Sequence, residues 1–489
     1  MADDYTPATR SSAYNAMLPA WQKIDAILAG AEAVRAGGVL YLPKYDGETK
    51  AEYERRRMYA PWRPEFEDAL RNLASRPFQK DVTLSGSVSQ RIKDIAEDID
   101  GQGNNLTQFA AAVFKAGLAR GFHAILVDYP PIAPGATLAD ERASGARPYW
   151  VHVPCTELIA LYTEFVNGRE VITHARLYET TIVRKGYTED IVERVREFNP
   201  GEWITWKRQT GADNVTTWTE EGRGTLNRNG NGSIPLVIFY AGERNGPLVK
   251  APLDNVAEVQ LELYRALSRK DEVMTYAGSP MLSANGMAKP PEGETIITGP
   301  KRILFAPPGG DGNSPSWDFI QPNAANIKEV REDIAAIVDD LRRLAMQPMV
   351  KGTGNPTATG RAIDAARSHS AVQQWALSLK DALEAAFVMT CEWLGEQPNV
   401  EVTVFTDFQA VPYEPETLRA LNTARANKDL SQRTYWENLR RLNVLSSDFD
   451  PDAEEEALAA EFEGLESEEP IDPRTGAPLV PVVEPELVA

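Results

Sequence analysis

Between Arg361 and Leu394 the chain runs for 34 residues without a glycine or a proline. Those two residue types are the strong breakers of helices. The stretch therefore predicts one helix of about 50 Å at 1.5 Å per residue, nearly three times a typical globular helix. Two further long helices precede it. Asn255 to Ala277 is also free of Gly and Pro, and Asn255 with Glu258 has the form of a capping box. Ala324 to Met346 places Ile327, Val330, Ile334, Ile337, Leu341 and Leu344 on one stripe. Between these two lies a Pro/Gly-punctuated insert, Gly278–Pro322, with short strands expected at Thr295–Ile297 and Arg302–Phe305. A polar loop, Gln347–Gly360, separates the second from the longest helix.

The first 125 residues read as mainly helical. Ser12–Ala36 carries Met17, Trp21, Ile24, Ile27 and Leu28 at helical spacing, and Gly37-Gly38 supplies a stop. Tyr41-Leu42-Pro43 reads as extended, followed by charged helices over Ala51–Met58 and Pro64–Leu73. After the turn Asp100–Gly103, Asn105 and Gln108 form a capping box for a helix reaching Gly121, and His123–Val127 reads as a buried strand. From Tyr149 to Tyr240 the pattern is β. Asn167-Gly168, between the runs Leu158–Val166 and Glu170–Val183, is the strongest hairpin signal. Strands are also expected at Trp203–Gln209, Val215–Trp218 and Leu236–Tyr240, with Gly222–Gly232 as a loop. The final part predicts a strand at Val400–Phe405, helices over Glu416–Asn427 and Gln432–Leu442, and an acidic helix opened by Asp450-Pro451. The fold class is α+β, and beyond Glu466 the Pro-rich acidic sequence predicts disorder.

Charge matters chiefly through its distribution. Of 489 residues, 51 are basic and 71 acidic, for a net of −20. Asp448–Ala489 holds 14 acids and one base, so −13 belongs to the tail and only −7 to the other 447 residues. Such a balance excludes a strongly basic grip on nucleic acid. Cys155 and Cys391 cannot build a disulfide framework or a structural zinc site. The first ten residues lack the order of a secretory signal and no apolar run spans a membrane, so manufacture in a reducing cytosol is expected.

Motifs that carry chemistry are scarce. The four histidines, His123, His152, His174 and His369, include no i, i+4 pair and read as structural. Asp98-Ile99-Asp100-Gly101 departs from a calcium loop, with glycine at position four and Phe109 at position twelve. Gly352-Thr353-Gly354 with Gly360-Arg361 lacks the Gly-Lys-Ser/Thr ending of a phosphate loop. Neither Gly-x-Ser-x-Gly nor a suggestive Cys/His pairing occurs. Abundant carboxylates single out no glycosidase-like pair. No metal, no cofactor and no catalytic residue is expected.

The order of elements carries more than any motif: a helical then β-rich first half, a long helix, a compact insert, a second long helix, a loop, a very long helix and a small terminal domain. With it go the Trp21 helix ending near Gly30, Tyr41-Leu42-Pro43, Tyr53-Glu54-Arg55-Arg56, Asp98–Gly101 and Gly121–Pro130. Near the end stand Leu430-Ser431, Leu439-x-x-Leu442-x-Val444-Leu445 and Asp450-x-Asp452-x-Glu454-Glu455-Glu456. Over residues 12–465 this resembles the portal proteins of tailed bacteriophages. One portal pattern has Ser-Gly before the longest helix, where this chain has Thr359-Gly360.

The resemblance implies an α+β portal fold: a wing (1–250, helical over 1–125 and β-rich over 149–241), a stem (251–277 and 324–346), a clip (278–323), a tunnel loop (347–360), a long wing helix (361–395), a crown (396–465) and a tail (466–489). It also implies a virion ring of twelve subunits that passes double-stranded DNA and is assembled in the host cytoplasm. Its implied partners are a terminase motor, a tail adaptor, the major capsid protein and scaffold, with no membrane. The implied loop residues are Val350, Lys351, Gly352, Thr353, Gly354 and Asn355. Lys351 is the sole charge in Gln347–Ala358, and twelve copies would make a positive ring against the DNA backbone. The implied docking residues of the clip are Met287, Lys289, Glu292, Glu294, Lys301, Arg302 and Trp317. Another virion structural protein, such as a head-completion or minor capsid component, and a soluble hydrolase are the competing readings.

Overall fold

The structure is a computed structural model. It describes residues 5–85, 88–130, 145–211, 216–278, 281–285, 315–320, 324–345, 358–406, 408, 415–441, 444–445, 449 and 451–466. It is α+β, its sheets antiparallel, and it divides into Met1–Phe408 and Gln409–Ala489.

The first unit begins with α1 (Ser12–Ala29), whose N-cap Ser11 accepts a hydrogen bond from the Tyr14 amide. The expected single helix to Ala36 is broken at Gly30, where φ is +88°, and α2 (Ala31–Ala36) restarts beyond it. Tyr41-Leu42-Pro43 is not extended: Gly38–Leu40 forms a 3-10 turn and Tyr41 stays in the right-handed region. Helices α3 (Lys50–Tyr59) and α4 (Glu65–Ser75) match the two charged helices. The short strand β1 (Thr83–Ser85) and the helix α5 (Gln90–Glu97) carried no sequence signal. Helix α6 (Leu106–Arg120) starts at the expected box, Asn105 and Gln108 each accepting the other's backbone N–H, and ends at Gly121 with φ +100°.

Strand β2 (Phe122–Asp128) follows at once and is buried from Phe122 to Val127, the mark of a strand covered on both faces. It lies between β3 (Tyr149–Val153) and a later strand in a three-stranded sheet.

The next segment is a five-stranded meander: β4 (Leu158–Val166), β5 (Arg169–Lys185), β6 (Thr188–Asn199), β7 (Glu202–Thr210) and β8 (Thr216–Thr225). Asn167 and Gly168, at φ +52° and +78°, make the predicted hairpin. Strand β6 escaped the sequence reading because its run of charges hides the alternation. Its arginines pair across strands, Arg194 with Glu221 (2.5 Å) and Arg196 with Asp128 (2.6 Å) and Glu179 (2.9 Å), while Val195 and Phe198 reach the core. The expected loop Gly222–Gly232 is wrong at its start. Gly222 and Gly224 belong to β8, and a Cβ on Gly224 would stand 2.8 Å from the Trp203 indole, so glycine here makes room for a cross-strand ring.

Strand β9 (Leu236–Tyr240) completes the three-stranded sheet, and β10 (Glu243–Asn245) pairs with β11 (Leu248–Lys250). Helix α7 (Asp254–Gly278), the ribbon β12 (Met281–Asn285) and β13 (Ser316–Ile320), and helix α8 (Ala324–Leu344) follow. Helix α9 (Ala358–Leu394) is 37 residues long. It starts earlier than expected and takes in Thr359-Gly360, an interior glycine that a helix this long tolerates at about 1 kcal/mol. Its C-terminal half crosses the three-stranded sheet. The Trp150 indole donates to Thr390 (2.9 Å), Trp393 to the Val127 carbonyl (3.3 Å) and Ser378 to the Tyr240 carbonyl (2.9 Å). Strand β14 (Glu401–Thr403) pairs with β1. One large apolar core thus joins α4, α6, the start of α7, α9 and the inner sheet.

The second unit contains α10 (Pro415–Ala426), α11 (Gln432–Arg441) and α12 (Pro451–Glu466), close to the three predicted helices. Trp436 packs edge-on against Phe449, 5.6 Å between centroids.

Candidate functional site

The feature that stands out from the core is the pair α7 and α8, whose ends an antiparallel ribbon joins. The first half of α7 is rooted: Val256, Ala257, Leu261 and Tyr264 belong to the main core. Gln260, fully buried, donates to the Arg63 carbonyl (2.7 Å) and accepts from the Phe66 amide (2.9 Å). It thereby satisfies an orphan donor at the start of α4 from a different helix. The expected Asn255–Glu258 capping box is not formed, because α7 starts one residue earlier. Asp254 and Glu258 instead hold Lys23 of α1, at 2.8 and 2.6 Å. Burial opposes the Lys23 charge, but the bonds to these two carboxylates outweigh it and push its pKa up.

Further along, α7 and α8 share a narrow apolar seam of Leu263, Ala266 and Leu267 against Ile334, Ile337 and Val338. The predicted stripe on α8 is partly shifted. Ile334, Ile337 and Leu341 are buried, but Leu344 is exposed and Val338 and Ala345 take its place. A 3.6-residue period drifts off a strict repeat, and Ala345 is small enough to meet the core beside Leu341. The remaining described faces of both helices are mixed in charge.

Two clefts flank this pair. One, of about 510 Å³, is lined by Arg63, Lys270, Arg331 and Arg342, with Glu65, Asp339 and the apolar seam. The other, of about 900 Å³, lies between α7 and the Tyr45–Ala60 segment and gathers Asp46, Glu48, Glu52, Asp271 and Glu272 around Arg55 and Arg56. Arg56 is buried and held by both oxygens of Glu48 (2.7 and 2.8 Å) and by the Pro43 carbonyl (2.8 Å). That pairing holds the Glu48 carboxyl below its usual range. Burial pushes Glu272 up against the pull of Arg56, with Glu48, Asp271 and Glu52 adding to the rise. The Nη1 of Arg56, the Ser268 hydroxyl and the Tyr264 hydroxyl are buried without a hydrogen-bond partner among the described residues.

Of the residues singled out from sequence, Trp317 lies on β13 opposite Ala284, half-buried, beside Asp318, which accepts from Asn285 (2.7 Å) and Ser316 (2.9 Å). Met287, Lys289, Glu292, Glu294, Lys301 and Arg302, the two short strands expected around them, and the loop residues Val350–Asn355 lie outside the described residues, as does the tail beyond Glu466.

The scarce chemistry has structural employment. His123 and His152 face each other, with Nε2 to Nδ1 at 3.2 Å, and His152 stacks on Phe109. Burial, with His152 and Arg120 adding to it, lowers the pKa of His123 to about 3. Asp100 accepts from the Gln102 and Asn104 amides and from the Asn104 side chain, and Asp98 accepts from the Gly103 amide and Arg147. This resembles a capped turn more than a cation loop. Among the described residues no group of three His, Cys, Asp or Glu could hold a metal ion, and no helix is long and apolar enough to cross a membrane. Both cysteines are buried, and burial pushes Cys155 up to about 12 and Cys391 up to about 11.

Sequence reasoning missed three structural polar residues: Gln260, Arg56 and Arg228. Arg228 sits in an Asn/Gly-rich stretch that reads as surface. It is nevertheless fully buried, donating to Glu392 (3.0 Å) and to the Ser233 carbonyl and hydroxyl (2.6 Å each).

Residues 252–394 match a family described as a domain of unknown function, DUF4055, a stretch that runs from the start of α7 to the end of α9. No curated protein matches. Among solved structures the chain is similar to one from the virion of a native gene transfer agent particle, at 12% identity and TM-score 0.41, covering 82% of this chain and 96% of that one. It is also similar to one from the neck of the empty particle computed with C6 symmetry, at 13% identity and TM-score 0.43, covering 83% and 98%. A third, from the neck of the native particle computed with C12 symmetry, gives 12% identity and TM-score 0.39, covering 76% and 86%.

Proposed function

We propose that this chain is a virion structural protein of a phage-like particle, and specifically its portal: a ring of twelve subunits at the capsid vertex through which double-stranded DNA is packaged and ejected. The observation that carries the reading is the order α7, antiparallel ribbon, α8, α9. Two long helices rooted in one core and joined by a ribbon are the parts a stem and clip require. A DNA conduit must not hold its cargo, since every phosphate contact with a strong cation adds to affinity. Helix α7 carries five acids and three bases and helix α8 five acids and four bases, a mixed and slightly negative wall.

In this assignment residues 1–250 with 361–395 form the wing, 278–323 the clip and 396–465 the crown. The clip residues Met287, Lys289, Glu292, Glu294, Lys301, Arg302 and Trp317 dock the terminase motor and then the tail adaptor. The major capsid protein and scaffold are the partners of assembly. The loop Val350–Asn355 lines the channel, with Lys351 as a ring of weak positive contacts. The proposal assigns no catalytic role.

Native mass spectrometry and negative-stain imaging of the purified chain test it. A ring near twelve times the 54.0 kDa chain mass is expected. A monomer or dimer at every protein concentration and salt condition, with and without scaffold, would refute the portal reading. Within a packaging system, Lys351→Ala should lower genome retention, and unchanged packaging and retention would sink the role of that residue.

A further inference from the structure

A ring closed by rotation needs a heterologous contact, in which two different patches of one subunit fit each other. The two clefts beside α7 have the required asymmetry. Lys270 faces the first cleft, while Ser268, Asp271, Glu272 and Thr275 face the second. At 3.6 residues per turn the second set points on average about 150° away from Lys270 around the helix axis. In the first cleft Arg63, Lys270 and Arg331 have no carboxylate partner among the described residues, against one unpaired acid, Asp339. In the second, Asp46, Glu52, Asp271 and Glu272 form no ion pair among the described residues, although Arg56 is near enough to pull on Glu272, against one such base, Arg55.

A second, independent observation marks the acidic cleft as built to receive something. Ser268 is 1% exposed and its hydroxyl has no partner among the described residues, and Arg56 is 7% exposed with Nη1 likewise unpartnered among them. Both line the cleft. Buried polar groups are ordinarily satisfied, and leaving one unmade is unfavourable. Tyr45 and Tyr59, on the same cleft wall, are 42% and 65% exposed, the residue type enriched at interfaces.

We propose that the acidic cleft of one copy of this chain takes the basic cleft of the next, with Asp271 and Glu272 set against Lys270 and Arg331 of the neighbouring copy. The occupant is a second copy because the complementary charge lies on this same chain, around another side of α7. The Ser268 hydroxyl oxygen would accept from an arriving Lys270 or Arg331, and Asp339 of that copy is the carboxylate that would accept from Arg56 Nη1. The inference rests on the ring reading and names its contact.

Charge reversal tests it. D271K/E272K makes both clefts basic, and K270E/R331E makes both acidic. Each double variant alone should fail to form rings, its assembly midpoint rising on the order of tenfold or more, as expected for opposed like charges. Mixed in equal amounts they should assemble into an alternating ring, because every contact again joins an acidic to a basic cleft. A variant carrying all four reversals should also close. Wild-type assembly should weaken as salt screens the contact.

Rescue by mixing separates a contact from mere loss of folding, which mixing cannot repair. If wild type forms rings and each variant alone does so equally well, the cleft assignment fails while the ring stands. Failure of the mixture and of the fourfold variant, with wild-type rings intact, overturns the assignment equally. If wild type forms no ring at all, the functional reading itself falls, and the cleft pairing with it.

Discussion

Replacing Gln260 by methionine keeps the length of the side chain and removes both of its hydrogen bonds. The Phe66 amide and the Arg63 carbonyl would then face an apolar thioether, with Phe66 and Gln260 both fully buried in the native protein. The buried Phe66 amide is left orphaned at a cost of about 1–3 kcal/mol, concentrated where α4 meets α7, whereas the carbonyl of the exposed Arg63 can turn to water. Native-state hydrogen exchange reads it directly: the Phe66 amide should exchange on the order of 5- to 100-fold faster in Gln260→Met. Amides of the β4–β8 meander should be unaffected.

Gln260→Glu sharpens the test. A protonated carboxyl can donate to the Arg63 carbonyl and accept from the Phe66 amide, as glutamine does, whereas a carboxylate sets its charge against that carbonyl. The folded state therefore holds the proton more tightly than the unfolded chain. The glutamate variant should approach wild type at low pH and lose stability as pH rises from the ordinary carboxylate range to its raised folded value. If Gln260→Met leaves Phe66 protection within about 0.5 kcal/mol of wild type, the surface-mutation range, the cross-helix cap is not what holds α4.

Two further outcomes are expected. Gly224→Ala should lower thermal stability by about 1–3 kcal/mol, because its Cβ meets the Trp203 indole at 2.8 Å, while Gly222→Ala, at 3.8 Å from the same ring, should change little; equal melting temperatures for the two would contradict the account. With His123 lowered from 6.5 to about 3, the unfolded chain binds the proton that the folded chain refuses, so stability falls as pH drops through that window. His123→Asn should therefore flatten the acid side of the stability–pH curve, measured by denaturant titration at several pH values, and an unchanged slope would place the acid sensitivity elsewhere.

What the sequence determined by itself is what short-range chemistry can write. The absence of breakers specified α7, α8 and α9. The Asn105–Gln108 box specified the start of α6, and Asn167-Gly168 its hairpin, since each depends on residues within a few positions of one another. The order helix, insert, helix, long helix, on which the functional reading rests, was legible for the same reason. The tertiary structure decided everything that depends on a distant partner. Charges along β6 become a strand because arginines and carboxylates of other strands, and Asp128 of β2, meet them. Gly224 is strand rather than loop because Trp203 lies across it. Asn255 and Glu258 make no cap because α7 starts at Asp254, and Glu258 instead binds Lys23, more than 230 positions earlier in the chain. The two clefts of opposite charge come from residues more than 200 positions apart that lie on faces of α7, and no local pattern encodes which faces will be left open.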